Sequence, residues 1–83
     1  MIIYVLICQW NISEEEGCNV EGVYSSLEIA KKVMHERIKT DIAEEVLNNE
    51  DCNMEESDRT ISYYNEINND YIYYWIQEKT LDQ

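Results

Sequence analysis

Three cysteines, one histidine and eighteen carboxylates are the groups in this 83-residue chain that could do chemistry. A cysteine nucleophile needs an electropositive setting and a nearby base. Cys8, Cys18 and Cys52 stand instead in a chain of net charge −12, with His35 as the sole imidazole. Zinc would require those four residues to converge without any short ligand spacing between them. Asn49, Asp51, Asn53 and Glu55 alternate as in the first half of a calcium loop. Met54, however, stands where the loop glycine belongs, and Thr60 where the closing glutamate belongs. Gly17 and Gly22 are the only glycines, so no phosphate-cradling loop exists. The sequence predicts no enzyme, no metal site and no cofactor.

Charge is the more informative feature. Acids outnumber bases 18 to 6, whereas a small soluble domain needs a net charge of only about 2–8 in magnitude. Asp41, Glu44, Glu45, Glu50, Asp51, Glu55, Glu56 and Asp58 follow one another without an intervening base, and Glu14, Glu15, Glu16 and Glu21 form a second cluster. Carboxylates on a rigid body can imitate a row of phosphates and speed encounter with a basic partner tenfold or more at low salt. The expected partner-binding set is Glu14, Glu15, Glu16, Glu44, Glu45, Glu50, Asp51, Glu55, Glu56 and Asp58, crowded on one exterior patch. The plainer reading is a solvated face. Direct binding of nucleic acid is disfavoured: residues 1–30 hold no Lys or Arg, and four of the six bases fall between Lys31 and Lys39. A membrane surface is disfavoured for the same reason. The expected partner is a basic protein, such as a nucleic-acid-binding nuclease or effector.

A second cluster is aromatic: Tyr63, Tyr64, Tyr71, Tyr73, Tyr74 and Trp75, in a chain without phenylalanine. Strand alternation sends Tyr64, Tyr73 and Trp75 away from any helix packed on the sheet. Tyr73 and Trp75 are therefore candidate apolar anchors for the partner. The alternative is that this face makes a homodimer while the acids serve solubility.

These residues need a scaffold, and periodicity supplies one. Residues 2–10 read as a central strand buried on both faces, followed by a polar loop over 11–17 and a second strand over 18–24. Ser25 and Glu28 form a capping box, with Tyr24 and Ile29 placed as a hydrophobic staple. Ala30, Met34, Ile38, Ile42 and Val46 then recur at i+4, flanked by Ile29, Val33 and Leu47, as one helical stripe running to about Asn48. Thr40-Asp41 could restart a second, collinear piece. Residues 48–58 read as a loop. Two further strands, over 60–67 and 71–81, are joined by the turn residues Asn68-Asn69-Asp70. The predicted fold is a single α+β domain over 1–83, β-β-α-β-β, with about four mostly antiparallel strands and one helical layer on one face.

An odd cysteine count, no basic n-region and an apolar start too short for a membrane span point to a cytoplasmic protein with free thiols.

At Tyr4-Val5-Leu6, Gly22-Val23-Tyr24-Ser25-Ser26-Leu27-Glu28-Ile29-Ala30 and Leu81-Asp82 the chain resembles a family of small uncharacterised proteins from phages and low-GC bacteria. Those proteins open on a Tyr-Val-Leu strand, pass an acidic loop and enter a helix through Gly-Val-Tyr-Ser-Ser. The likeness covers residues 1–35 and the closing pair, while residues 40–69 are longer than that family implies. It implies a hairpin and a helix cap, and no activity. More loosely, size, acidity and phage-like character are similar to those of anti-CRISPR and other anti-defence inhibitors. That likeness implies a non-enzymatic inhibitor of a host defence protein, acting in the host cytoplasm.

Overall fold

The computed structural model describes residues 1–47 and 50–81. Six elements follow one another: β1 (Ile2–Ile12), β2 (Glu15–Tyr24), α1 (Leu27–Ala43), β3 (Cys52–Glu56), β4 (Thr60–Asn65) and β5 (Tyr71–Thr80). All strand pairs are antiparallel, in the order β2-β1-β5-β4-β3. The first and last strands are thus neighbours at the centre.

Alternation decides which residues α1 covers. Leu6 and Cys8, Ile61 and Tyr63, and Ile72, Tyr74 and Ile76 point to one face and close over Ala30, Met34 and Ile38. The i+4 spacing of those three helix residues is what aligns them on one side. The other face is uncovered. It carries Ile3, Val5, Ile7, Gln9 and Asn11 of β1 opposite Lys79, Gln77, Trp75, Tyr73 and Tyr71 of β5.

Several sequence expectations need correction. The sheet has five strands, because 52–56 pairs with β4 instead of looping out. Its polar, acid-bearing composition is what a short edge strand carries to discourage further pairing. The loop expected over 11–17 is only the two-residue turn Ser13-Glu14, since β2 begins at Glu15. Both turn residues have left-handed backbone, φ 54° and 68°, as a type I′ hairpin turn demands. β1 is central, and Val5 on its second face is buried, but Ile3 and Ile7 there are only half-buried because no helix covers that side.

The helix cap lies one residue later than Ser25. The hydroxyl of Ser26 accepts from the Ile29 amide, so position N3 is an isoleucine and no reciprocal carboxylate closes a capping box. The proposed staple fails with it, and Ile29 is exposed. The helix passes through Thr40 unbroken and ends at Ala43, short of Asn48; Asn48 itself lies outside the described residues. Glu45 donates to the Ile42 carbonyl and Val46 to that of Asp41, both at 3.1 Å. With Glu45 at φ 51°, this is a Schellman stop, with glutamate at the position glycine normally takes. Leu47 then turns back into the core.

Candidate functional site

At 3.2–3.4 Å per residue the eleven residues of β1 span roughly 35 Å, so the 46 Å long axis of the molecule runs along the strands. Register fixes what lies at each end. Glu16, Asn11, Tyr71, Tyr64 and Asn53 form one row across all five strands. Beyond that row come the β1–β2 turn, the β4–β5 turn and the approach to β3. Three hydrogen bonds clasp these segments. Ser13 N–H donates to Asp70 Oδ1 at 3.1 Å, Glu66 N–H to the Asp51 carbonyl at 3.2 Å, and Asn65 Nδ2 to the Glu50 carbonyl at 3.0 Å. Asn65 is itself buried, and its Oδ1 accepts from the amides of Ile67 and Asn68. The C-terminus of α1 arrives at the same end, where Glu45 acts electrostatically on Tyr63.

Segments 12–17, 44–47, 50–53 and 64–71 thereby assemble nine carboxylates: Glu14, Glu15, Glu16, Glu44, Glu45, Glu50, Asp51, Glu66 and Asp70. They contain no lysine or arginine. Seven of the nine belong to the set expected from sequence; Glu66 and Asp70 were missed. The signal was there, since both flank a turn read from Asn68-Asn69-Asp70, but which end of the sheet that turn occupies depends on strand order.

Backbone at this end is costly. The described non-glycine residues with left-handed backbone are Ser13, Glu14, Glu45, Asp51 and Asn69, and all five lie here. Glu44 and Glu45 also stand at the negative end of the helix dipole, with no basic residue in the last turn.

The remaining expected residues do not join this cluster. Asp58, halfway along the sheet, pairs with Lys31 Nζ at 2.6 Å and Arg59 Nε at 3.8 Å. The Lys31 bond holds its carboxyl below the ordinary range. Glu56 bonds His35 Nε2. These two acids are engaged by the chain's own Lys31, Arg59 and His35, which corrects the expectation of one continuous patch. Glu55 is on the uncovered face, where Tyr64 donates its hydroxyl to Oε1 at 3.4 Å. Tyr73 and Trp75 lie on that face as alternation requires, their rings 5.3 Å apart and tilted by 41°. Beside them Tyr64, Tyr71 and Tyr73 wall an open groove of about 690 Å³, with Glu55 and Glu66 at its rim.

Under the helix, Tyr74 donates to Asp41 Oδ2 at 2.5 Å, next to Cys8 and a cavity of about 250 Å³. Burial pushes the Cys8 thiol up to about 11, against a hydrogen bond with Tyr74. A thiol so far from ionisation is a packing group, since the thiolate is the reactive form. Cys18 faces the opposite side of the sheet, and no disulfide joins Cys8, Cys18 and Cys52. Among the described residues no three His, Cys, Asp or Glu side chains gather as a metal site. Asn49 of the calcium-like run lies outside those residues, and Asn53 and Glu55 are extended strand positions. No described helix is long and apolar enough to cross a membrane.

No protein family matches the chain, and no curated protein or solved structure is similar to it. The function therefore has to be argued from this geometry.

Proposed function

We propose that the protein is a non-enzymatic binding protein whose acidic end docks on a basic, nucleic-acid-binding surface of another protein and occludes it. The observation that carries this reading is the placement of carboxylates at the positions where they cost most. Glu14 and Glu45 stand in glycine-favoured backbone, and Glu44 and Glu45 oppose the helix dipole. A charge serving solubility alone has many cheaper places on the surface, and local rules are broken chiefly where function requires it. Density supports the same reading. Nine carboxylates share one end of a molecule 21 Å by 19 Å across, with no lysine or arginine in the segments that carry them. A bacterial defence nuclease, the partner class implied by the resemblance to anti-defence inhibitors, has a surface of this kind.

The test is competition. The protein is expected to displace a labelled duplex from its partner at about 50 mM salt and far less at 200 mM. The variant Glu14→Lys, Glu45→Lys, Asp51→Lys, Glu66→Lys should lose this activity. The control Glu56→Gln, Asp58→Asn should keep it. Equal competition by both variants, or none by the wild type, refutes the reading.

A second reading is favoured by the apolar stripe of the uncovered face, where Val20 and Val23 are 57% and 56% exposed beside Ile7, Val5 and Trp75. This is a self-associating accessory protein dimerising through its Tyr/Trp face. Sedimentation at several concentrations separates the two.

A further inference from the structure

We infer that the groove on the uncovered face is a seat for an arginine side chain of the basic partner, its guanidinium stacked on the tyrosine rings and met by Glu55 and Glu66. The inference rests on the basic-partner reading and adds where one of the partner's side chains goes.

The groove offers rings and acceptors, and its lining contains no lysine, arginine or histidine. Tyr71 and Tyr64 are cross-strand partners, and Tyr73 is two residues along β5, so three aromatic rings border one space. A cation over such a face is attracted by the ring quadrupole. Glu55 is held at the rim by the Tyr64 hydroxyl, and Glu66 follows at the end of β4. A guanidinium carries five N–H donors and no acceptor, is planar, and sheds water more readily than an ammonium. Those properties match a groove of aromatic rings and carboxylates. A nucleobase would also stack, but its phosphate would meet Glu55, Glu66 and the acidic end.

The test titrates the full chain with acetyl-Gly-Arg-Gly-amide, its lysine counterpart and its citrulline counterpart, followed by amide and tyrosine-ring chemical shifts. Arginine is expected to bind about fivefold more tightly than lysine, with citrulline, isosteric but uncharged, weaker still. Shifts should centre on Tyr64, Tyr71 and Tyr73. Tyr71→Leu should abolish them, and the surface variant Glu55→Gln, Glu66→Gln, which leaves the fold intact, should weaken arginine at least about fivefold. Equal binding of the citrulline peptide, or shifts confined to the β1–β2 turn, would overturn the proposal. So would a concentration-dependent dimer that excludes the peptide, which gives the groove to a second copy. Retained arginine binding by the lysine-substituted Glu14, Glu45 and Asp51 triple variant, alongside failed competition by the wild type, would sink the docking of the acidic end and leave the groove standing. Lost peptide binding with intact competition would do the reverse.

Discussion

The backbone N–H of Ser13 donates to the carboxylate of Asp70 across 3.1 Å, joining two hairpin turns 57 residues apart in the chain. This bond ties the turn that carries Glu14 to the turn that carries Asp70. Asp70→Ala should cost about 1 kcal/mol, the range of a partly solvated hydrogen bond to a charged group. It should also raise the exchange rates of the Ser13 and Glu14 amides, measured by hydrogen exchange. Unchanged rates would mean that the β-ladders alone hold the turns together.

Glu14 and Glu45 occupy left-handed backbone at φ 68° and 51°. Glycine removes the clash with Cβ there, so Glu14→Gly and Glu45→Gly should each stabilise the fold by about 1 kcal/mol in urea denaturation. The same variants should weaken competition with the labelled duplex. A gain in stability with undiminished competition would separate the strain from the function.

Asp41 is half-buried, and burial raises its carboxyl above 3.8 despite the opposing hydrogen bond from Tyr74. The folded state then holds the proton more tightly than the unfolded chain. Stability should fall as pH rises from about 3.8 through the raised folded value and level off above it. Tyr74→Phe removes the bond that favours the carboxylate, so the window should widen upward, with about 1–3 kcal/mol lost at neutral pH. Thermal melts at closely spaced pH values would show both effects.

The His35 imidazole is raised above 6.5, first by donating Nδ1–H to the Lys31 carbonyl at 2.7 Å and then by its bond to Glu56. Its contribution is complete below about 6.5 and is lost as pH climbs through the folded value. Glu56→Gln should lower the midpoint of the imidazole NMR titration only part-way, because the larger cause, the backbone carbonyl, remains. A full return to 6.5 would show that Glu56 dominates.

Where local spacing determined the outcome, the sequence was readable. Ala30, Met34 and Ile38 are helical core because i+4 leaves them no other side. Tyr64, Tyr73 and Trp75 face away from α1 because strands alternate. β3 was unreadable: Cys-Asn-Met-Glu-Glu has no β-branched residue and only Cys52 and Met54 to alternate on one face, so pairing with β4 is what makes it a strand. The cap moved from Ser25 to Ser26 because two adjacent serines offer the same hydroxyl and tertiary packing chooses between them. The acidic end was half-readable. Runs of glutamate are visible in one dimension, but the order β2-β1-β5-β4-β3 decides that the turn carrying Glu14 meets Asp70 while Asp58 meets Lys31.

The ladder between β1 and β5 has a kinetic consequence. Asn11 pairs with Tyr71 and Ile2 with Thr80, so the halves of the sheet join only when a loop of at least 60 residues, from Asn11 to Tyr71, has closed. The hairpins β1–β2, β3–β4 and β4–β5 can each zip locally within microseconds; the closure that joins β1 to β5 is long-range and bears its entropy before any contact rewards it. Folding should be governed by that docking step. During synthesis, the tyrosine-rich final strand must leave the ribosome before the first strand gains its second neighbour.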